Sequence, residues 1–385
     1  MVCDLETVRH LSESIGPRFG GTTNERRAAE YVTARMRSLG LSVATQEFGF
    51  VGWQSTRPPA LELLEPSRRS FEASSFMFSD STPEGGLQGR IEYVGDHQIS
   101  ITGKTCWPKY AIVDSSGKEI AFLVARPKGL SASLPLILGR IYGCAPYVCV
   151  GEECLRELEG ICKNGVTARM RVDIGGQLLP GLVSQNVIGT LVANPQSQEE
   201  VIVCSHHDTA HDSPGAVDNA SGVSAMLRIA QMLAKGRCKS TVRFISFGCE
   251  EYHILGSRYY VDRLKEKAGI QDVKGVVCID GVGLAGPLTV WAEQDEFRKQ
   301  IVNALGSKLT GQFQLDFRDP RIGSDHWPFH QQGVPTALLT SLRVFDFQHY
   351  HRSTDTCMEI DRQQLDDATT VGAEIVNAVA NWPGR

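Results

Sequence analysis

Apolar positions recur along this chain with two different periods, and the change from one to the other marks its organisation. Over residues 23–39, Ala28, Tyr31, Val32, Met36 and Leu39 fall at helical spacing, the mark of one buried helix face. Residues 5–14 predict a shorter helix before it, joined through the Gly/Pro-rich turn Gly16-Pro17-Arg18-Phe19-Gly20-Gly21. Residues 41–50 alternate apolar and polar as a strand does, 59–78 are apolar and mixed, and 79–85 read as a linker-like break. From about 89 to 179 the pattern turns to short β-rich runs at 90–94, 110–113 and 120–124, separated by turn residues. No cluster of catalytic residue types stands out there.

From Asn186 onward strands and helices alternate. Apolar runs predict strands at 187–192, 201–204, 242–247, 275–279, 288–291 and 335–339. Helical spacing predicts helices at 220–233, 256–265, 296–305 and 361–380. Such alternation implies an α/β fold, a three-layer sandwich around a central, largely parallel mixed sheet. The expected division is 1–85 and 181–385 as two parts of one main domain, with 86–180 as an inserted β-rich subdomain. In sheets of this kind the active site lies beyond the carboxyl ends of the strands.

Composition narrows the function classes. A 42% apolar content suffices for a real core. The formal net charge of −5 gives no basic footprint for nucleic acid. No apolar run approaches the roughly 18 residues that suggest a membrane span. The first residues show neither the basic nor the apolar stretch of a secretory signal. The eleven cysteines are odd in number and scattered, which fits reduced thiols in a cytoplasmic protein better than a disulfide framework. Cys144, Cys149, Cys154 and Cys162 cluster but lack the paired spacing of usual zinc sites, and read as core thiols. Arg26, Arg27, Arg35 and Arg37 read as a solvated helix face.

The chemistry concentrates downstream. His206 and Asp208 form a His-x-Asp unit, and Asp218-Asn219 follows twelve residues after His206, beyond Pro214 and Gly215. An imidazole and carboxylates at loop spacing suit zinc. Glu250-Glu251, Asp280 and His351 come next, the first three just after strand-like runs. Together they outline a two-metal hydrolase site. Such a centre needs oxygen ligands, some imidazole, a bridging carboxylate and one free carboxylate to carry protons. Adjacent Glu250 and Glu251 can divide metal binding and proton transfer if the backbone turns there, as Gly248 permits.

These residues resemble the co-catalytic di-zinc aminopeptidases of metallopeptidase clan MH, a group that includes bacterial leucyl aminopeptidases, glutamate carboxypeptidase-like enzymes and glutaminyl cyclases. The resemblance runs over residues 184–360. It is carried by Ser-His-His-Asp-Thr at 205–209, Pro-Gly-Ala-Val-Asp-Asn-Ala-Ser-Gly at 214–222, Phe-Gly-Cys-Glu-Glu at 247–251 with Leu255-Gly256-Ser257, Ile279-Asp280, Ser324-Asp325-His326, and Tyr350-His351 with Asp355-Thr356. It implies a zinc-exopeptidase fold and two zinc ions per chain. His206 and Asp280 would complete one site, Glu251 and His351 the other, and Asp218 would bridge both. Glu250 would be the general base and acid, and Tyr350 would donate a hydrogen bond to the oxyanion. Asp208 would orient His206, and Asp355 would support the site around His351. The Asp218–Asn219 peptide is a candidate for a cis bond. Gly323 stands where several aminopeptidases carry Arg before the Ser-Asp pair, and Arg321 lies two residues earlier. The 89–179 segment weakly resembles a protease-associated insert that would wall or lid the cleft.

The leading expectation is an aminopeptidase acting on peptides or amino-acid amides. A carboxypeptidase or an N-acyl amino acid hydrolase fits the same ligands, and would be told apart by a basic pocket for a carboxylate. A glutaminyl cyclase uses one zinc and lacks the full five-ligand set. A non-catalytic binding relative would have lost ligands or the catalytic glutamate. His207, His211, His326, His330 and His349 read as mainly structural.

Overall fold

The computed structural model describes residues 5–99, 106–134, 145–192, 198–235, 240–292, 295–309, 315–318, 323–341, 344 and 347–382. Cys144 and Arg321 lie outside the described residues. The chain forms two compact units, one of residues 1–50, 183–347 and 353–385, the other of 51–182 and 348–352.

The first unit carries the α/β architecture. Its strands run in the order Leu315–Arg318, Leu288–Ala292, Thr336–Ser341, Val273–Ile279, Glu200–His206, Thr241–Phe247, and then the 187–191 portion of Arg169–Leu191. Four of these six neighbouring pairs are parallel, so the sheet is largely parallel and mixed. Strand side chains alternate between faces, and two separate cores follow from that. Val201, Val203, Phe244, Val277, Ile279, Val290 and Leu339 pack with helices Thr23–Ser38, Ser221–Leu233 and Arg362–Asn381. Ile202, Cys204, Ile245, Phe247, Val276, Cys278 and Leu338 pack with Tyr260 and Val261 of helix Leu255–Glu266 and with Phe329. This is the three-layer sandwich expected.

The chain leaving Glu200–His206 returns through the helix on the first face, and the chain leaving Thr241–Phe247 returns through the helix on the second. The crossovers therefore part beside the Glu200–His206 strand. Where crossovers diverge to opposite faces, a crevice opens beyond the strand ends.

The second unit is built on the order Arg169–Leu191 (its 169–172 portion), Leu87–Gln98, Cys106–Val113, Glu119–Ala125, Tyr147–Val150, Ala73–Ser75. Its core joins Leu61, Leu63, Phe71, Ile112, Leu123 and Val148. Two expectations are corrected here. The division falls at 50/51 and 182/183, not at 85/86 and 180/181, because Leu61, Leu63 and Phe71 bury themselves in this core. The stretch 79–85 is no linker: Ser79 and Thr82 are buried, and Thr82 Oγ1 bonds Asp173 at 2.9 Å and Ile174 O at 3.1 Å. The unit also contains a helix among its strands, Glu152–Lys163, which buries Cys154, Leu155, Leu158 and Ile161 on one face. Cys149 and Cys154 are buried free thiols, while Cys162 is exposed.

Candidate metal centre

Three adjacent parallel strands end at the candidate residues. His206 is the last residue of Glu200–His206, Asp280 follows Val273–Ile279 directly, and Glu250 and Glu251 lie just past Thr241–Phe247. Asp218 stands at the entry to helix Ser221–Leu233. The sequence positions His206, Asp280 and the Glu250–Glu251 pair at one end of the sheet because each closes or follows a buried parallel strand.

His206 is buried, and its Nε2 lies 3.3 Å from Asp218 Oδ1 and 3.3 Å from Asp280 Oδ1. Among the described residues that nitrogen has no hydrogen-bond partner. A tetrahedral zinc with bonds of about 2.0–2.2 Å spaces its ligand atoms about 3.3–3.6 Å apart. Both distances from Nε2 thus match the edge of a zinc polyhedron, the ligand atoms of all three residues lie within 4.8 Å of one another, and a metal would explain the buried orphan nitrogen. Asp218 and Glu251 form a second grouping, with ligand oxygens within 4.8 Å of one another.

Electrostatics agrees with this picture. Burial alone would lower the His206 pKa, but the surrounding carboxylates, Asp280 and Glu250 first and then Asp208 and Asp218, outweigh it and hold the ring well above the ordinary histidine value. A cation is wanted at that point, and a metal supplies one while displacing the ring proton. Burial pushes the Glu250 carboxyl well above the usual carboxylate range; His206 opposes the shift, and Asp325, Glu251 and Asp280 add to it.

The carboxylates around the centre are themselves held by, or hold, backbone. Asp208 is buried, and its two oxygens accept the amide N–H groups of Glu250 and Glu251, each at 3.0 Å. It also lies 3.4 Å from His206 Nδ1. It is therefore placed beside the histidine and also fixes the glutamate pair. This second task matters because the turn is strained: Cys249, His253 and Ile254 have φ of 53°, 62° and 55°, which is costly for a β-branched residue. Asp355, buried, accepts the amide N–H groups of Val217 at 2.9 Å and Asp218 at 3.1 Å. Its observed bonds thus serve the candidate bridging residue. We predict that Asp208→Asn, which turns an amide nitrogen toward one of those N–H groups, lowers kcat about 10–100-fold and lowers the melting temperature of the chelator-treated protein; unaltered kinetics would remove Asp208 from this role.

The Asp218–Asn219 peptide bond is cis, in line with the expectation. Asn219, which its sequence position alone does not mark, ties this loop to the strand end bearing Asp280: its Nδ2 donates to Ile279 O at 3.0 Å, and its Oδ1 accepts from Gly222 N at 2.9 Å and Gly281 N at 3.3 Å. Gly222 is required by this packing, since a Cβ there would lie 2.2 Å from Asn219 Oδ1 and 2.4 Å from Ile279 O. Gly215, with φ of 57°, permits the preceding turn.

His351 and Tyr350 belong to the second unit. The His351 ring stacks on Tyr350 with centroids 3.8 Å apart, and its Nδ1 lies 2.8 Å from Ser133 O. An Nδ1–H given to a carbonyl makes Nε2 the nitrogen that could bind a metal. His207, read as structural, is buried with Nδ1 3.0 Å from Ser246 Oγ, and burial lowers its pKa to about 4. Gly323 is exposed.

Comparison with known proteins places these features. Residues 186–376 match peptidase family M28. An aminopeptidase of Bacillus subtilis, YwaD, is 28% identical, over 97% of this chain and 84% of its own length. A solved zinc aminopeptidase from Bacillus subtilis superimposes with a TM-score of 0.72 at 24% identity, covering 96% of this chain and 93% of that one. A peptidase M28 precursor from Shewanella amazonensis superimposes with a TM-score of 0.82 at 17% identity, over 98% of this chain and 93% of that one.

Proposed function

We propose that this chain, whose residues 186–376 match peptidase family M28 and which is similar to an aminopeptidase over nearly its whole length, is a zinc-dependent aminopeptidase of that family with two ions per chain, removing N-terminal residues from peptides. The observation that carries the reading is the orphan His206 Nε2 at 3.3 Å from both Asp218 and Asp280. His206 and Asp280 would hold one ion and Glu251 with His351 the other, with Asp218 shared between the two ligand sets. When bound, the ions supply Lewis-acid stabilisation and make water a nucleophile at neutral pH.

The chain's own groups do the rest. Glu250 takes the proton of the attacking water at its carboxylate and delivers it to the leaving nitrogen. Its neighbour Glu251 is committed to metal, so the division of labour between the pair rests on the turn that Asp208 holds through both amides. Tyr350 donates its hydroxyl proton as a hydrogen bond to the developing oxyanion. The anionic surroundings of Asp280 and Asp218 suit a substrate with a free amine. The relative named as an aminopeptidase, similar over nearly the whole chain, supports action at the N-terminus over action at the carboxyl end.

A substrate panel tests this reading. Free-amine aminoacyl amides should be cleaved, and N-blocked peptides and N-acyl amino acids should not. Turnover confined to N-acyl amino acids, or to peptides shortened from the carboxyl end, would replace it with one of the other hydrolase readings.

A further inference from the structure

The family match begins at residue 186, yet the loops bearing the candidate ligands are gripped by a short segment near the start of the chain. Arg18 is completely buried. Among the described residues its guanidinium donates to backbone carbonyls: Nε to His207 O at 2.9 Å, Nη1 to Leu11 O at 2.8 Å, Gly16 O at 2.9 Å and Pro214 O at 2.6 Å, and Nη2 to Gly215 O at 3.1 Å. Its own amide donates to Thr209 Oγ1 at 2.9 Å. Three of those carbonyls lie on the loop that runs from His206 to Asp218.

Glu25 is the counterpart of opposite charge. It is buried, and it accepts from Gly21 N at 2.6 Å, Ser184 Oγ at 2.5 Å and Cys249 N at 3.2 Å. With Asp208 on the amides of Glu250 and Glu251, three successive N–H groups of the strained glutamate turn are held by buried acids. Between Arg18 and Glu25, Phe19 stacks on Tyr252 with centroids 4.6 Å apart, and Gly20 lies so close to the turn that a Cβ would fall 2.6 Å from Cys249 Sγ. The polarity is matched on both sides: a cation grips carbonyls on one ligand loop, and an acid grips an amide on the other.

Burial of a full cation is costly unless it is hydrogen-bonded and balanced by charge. Burial lowers the Arg18 pKa to about 10, while Asp355, Asp208 and Asp218 oppose the shift, so the group is cationic at neutral pH. A chain that needed only a packed turn would fill this volume with apolar side chains. A fixed positive charge near Asp355, Asp208 and Asp218 offsets their mutual repulsion, which apolar packing cannot do.

We propose that Arg18 and Glu25 are positioning residues of the metal centre, forming a buckle from segment 16–25 that holds the His206–Asp218 loop and the Glu250–Glu251 turn in register for zinc. The inference rests on the metal-centre reading above and adds residues that touch neither ion nor substrate.

The test uses the full chain stripped of metal, with zinc affinity measured by competition against a chromophoric chelator, and with kcat and KM measured separately. Folding of each stripped variant is checked by circular dichroism. Arg18→Met should weaken zinc binding about 10–100-fold. Arg18→Lys should restore little, since one ammonium cannot span carbonyls that a planar fork reaches. Glu25→Ala should lower kcat about 10–100-fold with KM changed by less than about threefold. Glu25→Gln should recover much of that loss, because its Oε1 still accepts from Cys249. The exposed control Arg26→Ala should match wild type. Folded Arg18→Met and Glu25→Ala proteins with wild-type zinc affinity and kcat would overturn the buckle. If either fails to fold, Arg18→Lys with wild-type zinc affinity, or Glu25→Gln no better than a protein lacking zinc, overturns it equally. A wild-type protein that binds no zinc would instead refute the function on which the proposal stands.

Discussion

Glu250→Gln should bind zinc as the wild type does and lose about 10²–10⁴-fold in kcat. Glutamine preserves the size and shape of the side chain, and the backbone amides of residues 250 and 251 remain bonded to Asp208 at 3.0 Å each. The fold of the turn is therefore untouched. What disappears is the only function assigned to this side chain, accepting a proton and giving it up. Burial, with Asp325, Glu251 and Asp280 nearby, raises the affinity of the Glu250 carboxyl for that proton, as a base that must capture and then release it requires. Equal zinc content by elemental analysis together with near-full turnover would remove Glu250 from the mechanism. Loss of zinc along with activity would make it a ligand and force Glu251 into the other role.

Asp218→Asn should strip the centre of metal. The Asp218 side chain stands against His206 Nε2 at 3.3 Å and groups separately with Glu251, so one carboxylate is shared by two ligand sets. An amide offers a single oxygen and no charge, and cannot join two cations. The scaffold of that residue remains, because Asp355 holds its amide at 3.1 Å and Asn219 anchors its loop to Ile279 and Gly281. Zinc retention should therefore fall below that of His206→Ala, which removes one ligand from one site. Activity should fall by more than the roughly 10–100-fold that loss of an outer contact costs. Two tightly bound zinc ions in Asp218→Asn would contradict its place as the bridge.

The residues and elements legible in the sequence share a physical cause. His206, Glu250 and Asp280 follow buried parallel strands, which are written as unbroken apolar runs, so the first polar group after each run announces a position at the strand end. The helices around the sheet are legible for the same reason, as single-sided apolar spacing. What is not legible is mostly non-local. Arg18 and Glu25 sit in what reads as a Gly/Pro turn and a solvated helix face, and nothing in the spacing says that one reaches Gly215 and the other Cys249. The strand Ser42–Glu65 runs on through Pro58 and Pro59, so the division at 50/51 is hidden inside an element. Helix Glu152–Lys163 is masked by the β-rich runs around it, though Cys154, Leu155, Leu158 and Ile161 do fall on one helical face. For Asp355 the resemblance points toward His351, while its visible bonds go to the backbone at Val217 and Asp218.

The most direct test is to remove metal from the purified protein and restore zinc stepwise while following hydrolysis of a free-amine aminoacyl amide. The stripped protein should be inactive, and activity should rise to a plateau as the second equivalent of zinc binds. Two equivalents bound with no cleavage of any free-amine substrate would contradict a di-zinc aminopeptidase.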